Sequence, residues 1–303
     1  MKALRLGTRG SLLARTQSGI IADGLRARGA SVEMILIKTT GDRLSELQQP
    51  IEGKGVFTKE LDEALLGGTI DLAVHSMKDL PSQLPAGLAI AAVPLREDPR
   101  DVLIARGGGT LADLPRGARV GTGSPRRSGQ LRALRPDVFC VEARGNVDTR
   151  IRKLREGAWE AIVLARAGLR RLGRDAEATQ IFEASEMIPA VGQGALAIVT
   201  RAGERIEPLE GLDHPDTRAA VACERTILAR LEGGCRAPVA AHGIARGASL
   251  SVSAAVMSLD GAIVIRTERS GAAADAVALG EDAARELLER GAAEIVAAAR
   301  AIA

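Results

Sequence analysis

Residues 59–79 read KELDEALLGGTIDLAVHSMKD. Lys59–Leu66 reads as a helix, Ile70–Val74 as a strand, and His75-Ser76-Met77-Lys78-Asp79 follows directly at what should be a sheet edge. Working outward toward the N-terminus, Val32–Ile37 is another strand. Ser11–Ala27 is a helix carrying Leu12, Leu13, Ile20, Ile21 and Leu25, and Ala3–Gly7 is the first strand. Strands and helices alternating in this order make βαβ units and a mostly parallel sheet. Between them, Lys38–Thr58 holds Gly41, Pro50, Gly53 and Gly55 without a clear period. A loop of that length inside a compact domain is either a lid or a flexible surface excursion.

The same pattern restarts after Pro99. Arg119–Gly121 ends a strand, Pro125–Leu134 is a helix, Val138–Val141 a strand, Val147–Arg155 a helix and Ala161–Leu164 a strand. Two α/β units in tandem predict two lobes, with Val93–Pro99 as one crossing and Pro189–Gly194 as a second, before the strand Ala195–Thr200. From about Asp213 the character changes. Asp216–Leu231 is a helix closed by Gly233-Gly234. Alternating strands follow near Val239–Ala245, Leu250–Ser258 and Ala262–Ser270, and a long Ala-rich helix near Ala274–Ala299 ends the chain. The expected division is a discontinuous first lobe (1–94 and 195–212), a second lobe (99–190) and a small α+β domain (216–303).

A chain of 303 residues is too long for one ordinary core. Its 41 Lys plus Arg stand against 38 Asp plus Glu, so net charge names no partner. The arginines nonetheless cluster between Arg116 and Arg174. A binder of nucleic acid would pair them with stacking aromatics, yet only Phe57, Phe139, Phe182 and Trp159 occur. The N-terminus lacks a signal-peptide core and no stretch approaches a membrane span. Cys140, Cys223 and Cys235 have no framework spacing, which fits a reducing cytosol. His75, His214 and His242 are scattered, so no metal site is expected.

Four segments carry candidate chemistry. Gly121-Thr122-Gly123-Ser124-Pro125-Arg126-Arg127 is a strand, a glycine-rich turn and a helix start. It reads as an anion site or as an ordinary turn with solvated arginines. It lacks the third glycine of a dinucleotide fingerprint and the lysine of a P-loop. Arg144-Gly145-Asn146, with Arg150 downstream, follows a strand's carboxyl end, where ligands collect in open α/β sheets. Arg9 occupies the equivalent place in the other lobe. A crevice lined this way suits a ligand bearing several carboxylates or phosphates. The His75–Asp79 segment sets Lys78 beside Asp79, either as a catalytic pair or as a salt-bridged loop. Leu231-Glu232-Gly233-Gly234-Cys235 sets a thiol after two glycines, the surroundings of an accessible cysteine, although a buried one is the commoner fate.

Together these segments resemble the porphobilinogen deaminase family over nearly the whole chain. The likeness runs through Gly7–Ser11, Gly53–Glu60, Ala73–Asp79, Arg96–Asp101, Arg144–Val147, Ala167–Leu169, Pro189–Gly194 and Leu231–Cys235. It implies two lobes like those of type 2 periplasmic binding proteins and a third domain. It implies a transferase that deaminates four porphobilinogen molecules and joins them head to tail into the linear tetrapyrrole hydroxymethylbilane. The chain would grow on a dipyrromethane cofactor held by a thioether to Cys235. Asp79 is then catalytic, with Lys78 beside it. Arg126, Arg127, Ser124, Thr122, Arg144, Lys78 and Asp79 would hold the cofactor. Arg9, Ser11, Gln17, Arg144, Gly145, Arg150 and Arg171 would hold substrate, and Lys54, Phe57 and Lys59 would belong to a lid. A cytoplasmic monomer acting on a small molecule, without nucleic acid or membrane, completes the expectation.

The chain departs from the family pattern at Leu12, Gly123, Pro125 and Arg166. A non-enzymatic anion receptor built from the same two lobes is the leading alternative, but it leaves Cys235 and Asp79 without a purpose. A nucleotide-dependent transferase would need the missing P-loop lysine.

Overall fold

The structure, a computed structural model, describes residues 3–42, 56–232 and 237–302. Lys54 and Cys235 lie outside the described residues. The first sheet takes β1 (Leu4–Thr8), β2 (Val32–Leu36), β3 (Leu72–Ser76) and β4 (Leu88–Ala92), with helices α1 (Leu12–Arg26) and α2 (Lys59–Leu66). The second takes β5 (Asp101–Ala105), β6 (Arg119–Gly121), β7 (Phe139–Val141), β8 (Ala161–Ala165) and β9 (Gln180–Ile181). Helices α3 (Pro125–Leu134), α4 (Val147–Arg155) and α5 (Arg166–Arg171) pack around it. The chain then returns through β10 (Leu196–Arg201) to the first sheet, whose order is β2-β1-β3-β10-β4. The second sheet has the matching order β7-β6-β8-β5-β9. Each is parallel except for one strand: β10 in the first and β5 in the second run against their neighbours.

After the short helix α6 (Glu207–Glu210), α7 (Pro215–Arg230) opens the last domain. Its antiparallel sheet joins β11 (Val239–Arg246), β12 (Ser249–Met257) and β13 (Val264–Ala272), and α8 (Ala276–Glu289) and α9 (Ala292–Ile302) complete it. Each lobe has apolar clusters on both faces of its sheet, for example Leu61, Leu65 and Ile70 on one face of the first and Leu6, Ile21 and Leu25 on the other. Burial of one such side chain contributes about 1.5–3 kcal/mol. The fold class expected from the sequence, two α/β lobes and a C-terminal α+β domain, is the one observed.

Helix starts follow local chemistry. Ser11 Oγ accepts from the Ala14 N–H, Ser124 Oγ from Arg127 N–H ahead of Pro125, and Asn146 Oδ1 from Thr149 N–H. Three details differ from the sequence reading. The strand expected at Ile70–Val74 begins at Leu72, because the Ile70 N–H is spent on the Ala64 carbonyl at the end of α2. His75 is consequently a buried strand residue, not the start of a loop. The terminal helix is broken in two, since Gly291 adopts φ 93° between α8 and α9. The strands β4, β5 and β9 went unread.

Candidate active site

The parallel strands of the two sheets point their carboxyl ends at one cleft. Arg9 follows β1, Lys78 and Asp79 follow β3, Gly123 and Arg127 follow β6, Arg144 follows β7, and Arg171 ends the helix after β8. These residues line a cavity of about 630 Å³, within the range of small-molecule sites. Ser11, Leu12, Gln17, Phe57, Gly145 and Arg150 line it as well. Six cationic side chains face three carboxylates there, Asp42, Asp79 and Glu142.

Lys78 and Asp79 are placed by a single 3₁₀ turn, Met77–Asp79, anchored by the buried Met77. Asp79 is exposed in the cleft. Burial, and then the nearby Arg127 cation, push the Lys78 ammonium down to about 8, with Asp79 opposing. Gln17 bonds Ser76 Oγ at 3.0 Å beside them, tying α1 to β3. Buried His75 is driven to about 4 by desolvation and by Arg9, so it is neutral at physiological pH.

The arginines divide by whether a carboxylate already holds them. Arg9 pairs with Asp42 at 2.6 Å and lies 4.1 Å above the Phe57 ring centroid. Arg144 pairs with Glu142 at 2.7 Å. Arg150 donates from Nε to the Gly145 carbonyl at 2.7 Å, and Arg171 from Nη2 to the Gly194 carbonyl at 2.6 Å. Neither has an ion pair with a carboxylate among the described residues. Burial lowers Arg150 to about 10, with Arg127 adding to the effect, and burial lowers Arg171 to about 10 against Glu97. Both remain charged near neutrality. Two half-buried cations with no ion-paired carboxylate among the described residues, in one cavity, favour an anionic ligand.

Arg126 and Arg127 have a different setting. Asp101, 0 % exposed, accepts from Arg126 Nη1 at 2.7 Å and from Arg127 Nη2 and Nε at 2.7 and 3.0 Å. Arg127 reaches the cavity; Arg126 lies behind it against the Ile188 carbonyl at 2.9 Å. Thr122 and Ser124 are used locally, the first accepting from the Ser124 N–H at 3.2 Å and the second capping α3. Gly121 is fixed by packing, since a Cβ there would stand 2.8 Å from Trp159. Of the family departures, Leu12 and Gly123 line the cavity and Pro125 opens α3. Arg166 binds Asp98 at 2.8 Å and Asp175 at 2.9 Å, bracing α5 on the first crossing. Lys59 is an exposed first residue of α2, 3.9 Å from Glu63.

Sequence reasoning missed Asp101 and Gln193 as parts of this site. Both lie in segments that carry the family resemblance, Arg96–Asp101 and Pro189–Gly194, but neither was given a role.

The C-terminal domain seats the cleft from behind. Glu224 of α7, 0 % exposed, pairs with Arg96 of the first crossing at 2.5 Å and accepts from the Gly192 N–H of the second at 2.6 Å. Cys223 beside it is buried, and desolvation followed by Glu224 pushes its thiol up to about 12. Cys140 is partly buried and raised by desolvation. Neither is a reactive thiolate.

Fold and cleft define a two-lobed α/β protein with a cation-lined cavity of small-molecule size. Residues 4–207 match the family model described as porphobilinogen deaminase, dipyromethane cofactor binding domain, and residues 218–289 match porphobilinogen deaminase, C-terminal domain. The porphobilinogen deaminase of Desulforudis audaxviator is 52% identical over 301 residues, covering 98% of this chain and 97% of its own. That of Syntrophobacter fumaroxidans is 47% identical over 300 residues, covering 97% of both. The chain belongs to the porphobilinogen deaminase family. Among solved structures, the methionine binding protein MetQ is similar over 69% of this chain and 88% of its own, at 12% identity and a TM-score of 0.45. Among the described residues no helix is long and apolar enough to cross a membrane.

Proposed function

We propose that this cleft carries out the family reaction with the following division of labour. The enzyme deaminates porphobilinogen and joins four units head to tail into hydroxymethylbilane. Arg150 and Arg171, half-buried in one cavity with no ion-paired carboxylate among the described residues, are the observation that carries the reading. Each porphobilinogen brings two carboxylates, so a growing chain accumulates negative charge that must be neutralised. Planar guanidinium forks suit this better than ammonium groups.

The dipyrromethane fits the donor set: Arg127, Arg144 and Arg150 of one lobe and Lys78 of the other line the same cavity and would hold its acidic side chains. When bound, it supplies the pyrrole α-carbon on which the product is built. Cys235 holds it in this reading, which the inert settings of Cys140 and Cys223 favour. Asp79 faces the cavity. It stabilises positive charge on the substrate pyrrole N–H as ammonia leaves, and orients that N–H while the new bond forms. Arg9 and Arg171 hold acetate and propionate groups of the incoming unit, with Ser11 and Gln17 beside them. Phe57 and Lys59 belong to the lid in this reading, and Lys54, expected with them, lies outside the described residues. The lobes divide at 94/99 and 190/195, and the enzyme works as a cytoplasmic monomer without nucleic acid or membrane partners.

Intact mass tests the reading. Purified protein should exceed its sequence mass by two linked pyrroles, and Cys235→Ser should show no excess. No excess in either, even after incubation with porphobilinogen, would leave an anion-binding protein as the better account.

Lys78 gives a pH prediction. Its ammonium is charged below about 8 and loses its proton as pH rises through that value. Carboxylate binding by Lys78 therefore weakens on the alkaline side, and kcat/KM should fall above about pH 8. In Lys78→Arg the descending limb should move up by more than one pH unit, since guanidinium stays charged. An unchanged limb in that variant would assign it to another group.

A further inference from the structure

Gln193 lies on the second crossing and is 1 % exposed. Its neighbours Gly192 and Gly194 have φ of 68° and 87°. A Cβ on Gly192 would fall 2.5 Å from Met77 Cγ, and one on Gly194 2.2 Å from the Glu97 carbonyl oxygen. Only glycine permits both the left-handed backbone and this close approach. The crossing is thus pressed between the Met77–Asp79 turn and the first crossing. Its backbone is occupied: the Gln193 carbonyl accepts from Arg96 Nε at 2.8 Å, and the Gly194 carbonyl accepts from the Glu97 N–H at 3.2 Å.

The Gln193 side chain reaches across the two lobes. Nε2 donates to the Pro99 carbonyl at 2.7 Å and to Asp101 Oδ1 at 2.9 Å. Oε1 accepts from Lys78 Nζ at 3.3 Å and from Arg127 Nη2 at 3.4 Å. This uses both amide protons and both lone pairs. The orientation is fixed chemically, because a flipped amide would turn its NH₂ on two cations and its oxygen on two acceptors.

We propose that Gln193 is a positioning residue, its amide fixing the Lys78 ammonium of one lobe against the Arg127 guanidinium of the other. The proposal rests on the assignment of those two cations to carboxylate binding. A carboxylate at 193 could not donate to Asp101, and a hydrocarbon would remove all four hydrogen bonds. Gln193 also sits one residue from the Glu224 contact, so the C-terminal domain holds the backbone from which the amide reaches out.

The test is pH-dependent acylation of Lys78 by acetic anhydride, mapped by peptide mass in the intact holoenzyme, for wild type, Gln193→Met and Gln193→Glu. Oε1 stabilises the charged amine, so Gln193→Met should lower the Lys78 midpoint by about half to one pH unit. Gln193→Glu, with a full negative charge at the same reach, should raise it. With porphobilinogen, Gln193→Met should lose on the order of tenfold in kcat/KM, and Gln193→Glu should recover part of the loss. A folded Met variant with an unmoved Lys78 midpoint overturns the proposal. If that variant does not fold, an unmoved midpoint in Gln193→Glu overturns it. The acylation needs no porphobilinogen. Wild-type protein that never turns substrate over would therefore sink the functional reading, and the Lys78 midpoints would still decide this one.

Discussion

Asp79→Asn should lower kcat by about 10²- to 10³-fold, the range seen when one preorganised electrostatic group is removed from a charge-developing centre. The loss corresponds to about 2.7–4 kcal/mol of barrier. Asn keeps the shape and hydrogen-bonding reach of the side chain but not its charge. The cleft around it is rich in cations: Lys78 is next in the chain, and the charges of Asp79 and Arg150 are coupled across it. The other two carboxylates that line the cavity, Asp42 and Glu142, are already paired with Arg9 and Arg144. Asp79 is thus the group whose interaction strengthens most as ammonia leaves, so kcat and kcat/KM should fall together. Its exposure means that folding should hardly notice, within about 0.5 kcal/mol. Asp79→Glu, which keeps the charge but moves it, should retain more turnover than Asp79→Asn. Steady-state rates with porphobilinogen, beside thermal unfolding of the same samples, give the answer. Asp79→Asn turning over at wild-type speed would remove the carboxylate from the mechanism.

Where the sequence was legible, it was because one local signal sufficed. Lys59–Leu66, Pro125–Leu134 and Val147–Arg155 were read with the bounds they have, since a cap or a proline marks the start of the last two. Arg9 and Arg144 were placed at facing strand ends of one crevice, and Asp79 at a sheet edge, because parallel strands carry their carboxyl ends to the same side. The strands Leu88–Ala92 and Asp101–Ala105 were not read. Each is a five-residue run near a proline, and a run that short is a strand only by virtue of its partners, here β10 and β8. The break at Gly291 was hidden because alanine-rich sequence on both sides is helical by propensity.

The site was read as a ring of arginines, and the structure sorts them into two kinds. Among the described residues Arg150 and Arg171 have no ion-paired carboxylate, while Arg126 and Arg127 share a buried one. Nothing within Pro125–Leu134 announces that Asp101 will lie beneath it. The pairing exists only because β5 runs antiparallel to β8 and brings its first residue to the cleft end of the sheet. Arg166 shows the same limit. Its departure from the family pattern was visible, but its bonds to Asp98 and Asp175 depend on where the first crossing runs.

Asp101→Asn should destabilise the protein by about 3–5 kcal/mol, the usual cost of removing one partner from a buried ionic cluster. Two guanidinium groups would remain, 3 % and 7 % exposed in their side chains, with no carboxylate between them. One Asn position would also present N–H groups to donors that need an acceptor. The dependence on pH separates this charge effect from simple misfit. Burial by itself would raise the Asp101 carboxyl, but Arg126 and Arg127, helped by Gln193, outweigh it and hold the group far below the usual carboxylate range. A depressed folded-state value means that the stabilisation is complete above the unfolded value of about 3.9 and declines as pH falls below it. Urea unfolding from pH 7 to pH 3 should therefore show the gap between wild type and Asp101→Asn widest near neutrality and narrower in acid. Activity should fall as well, because Arg127 and Gln193 both take their orientation from this carboxylate. A gap that stays constant across the whole range would assign the loss to packing. A variant as stable as wild type at pH 7 would mean that the two arginines need no buried anion at all.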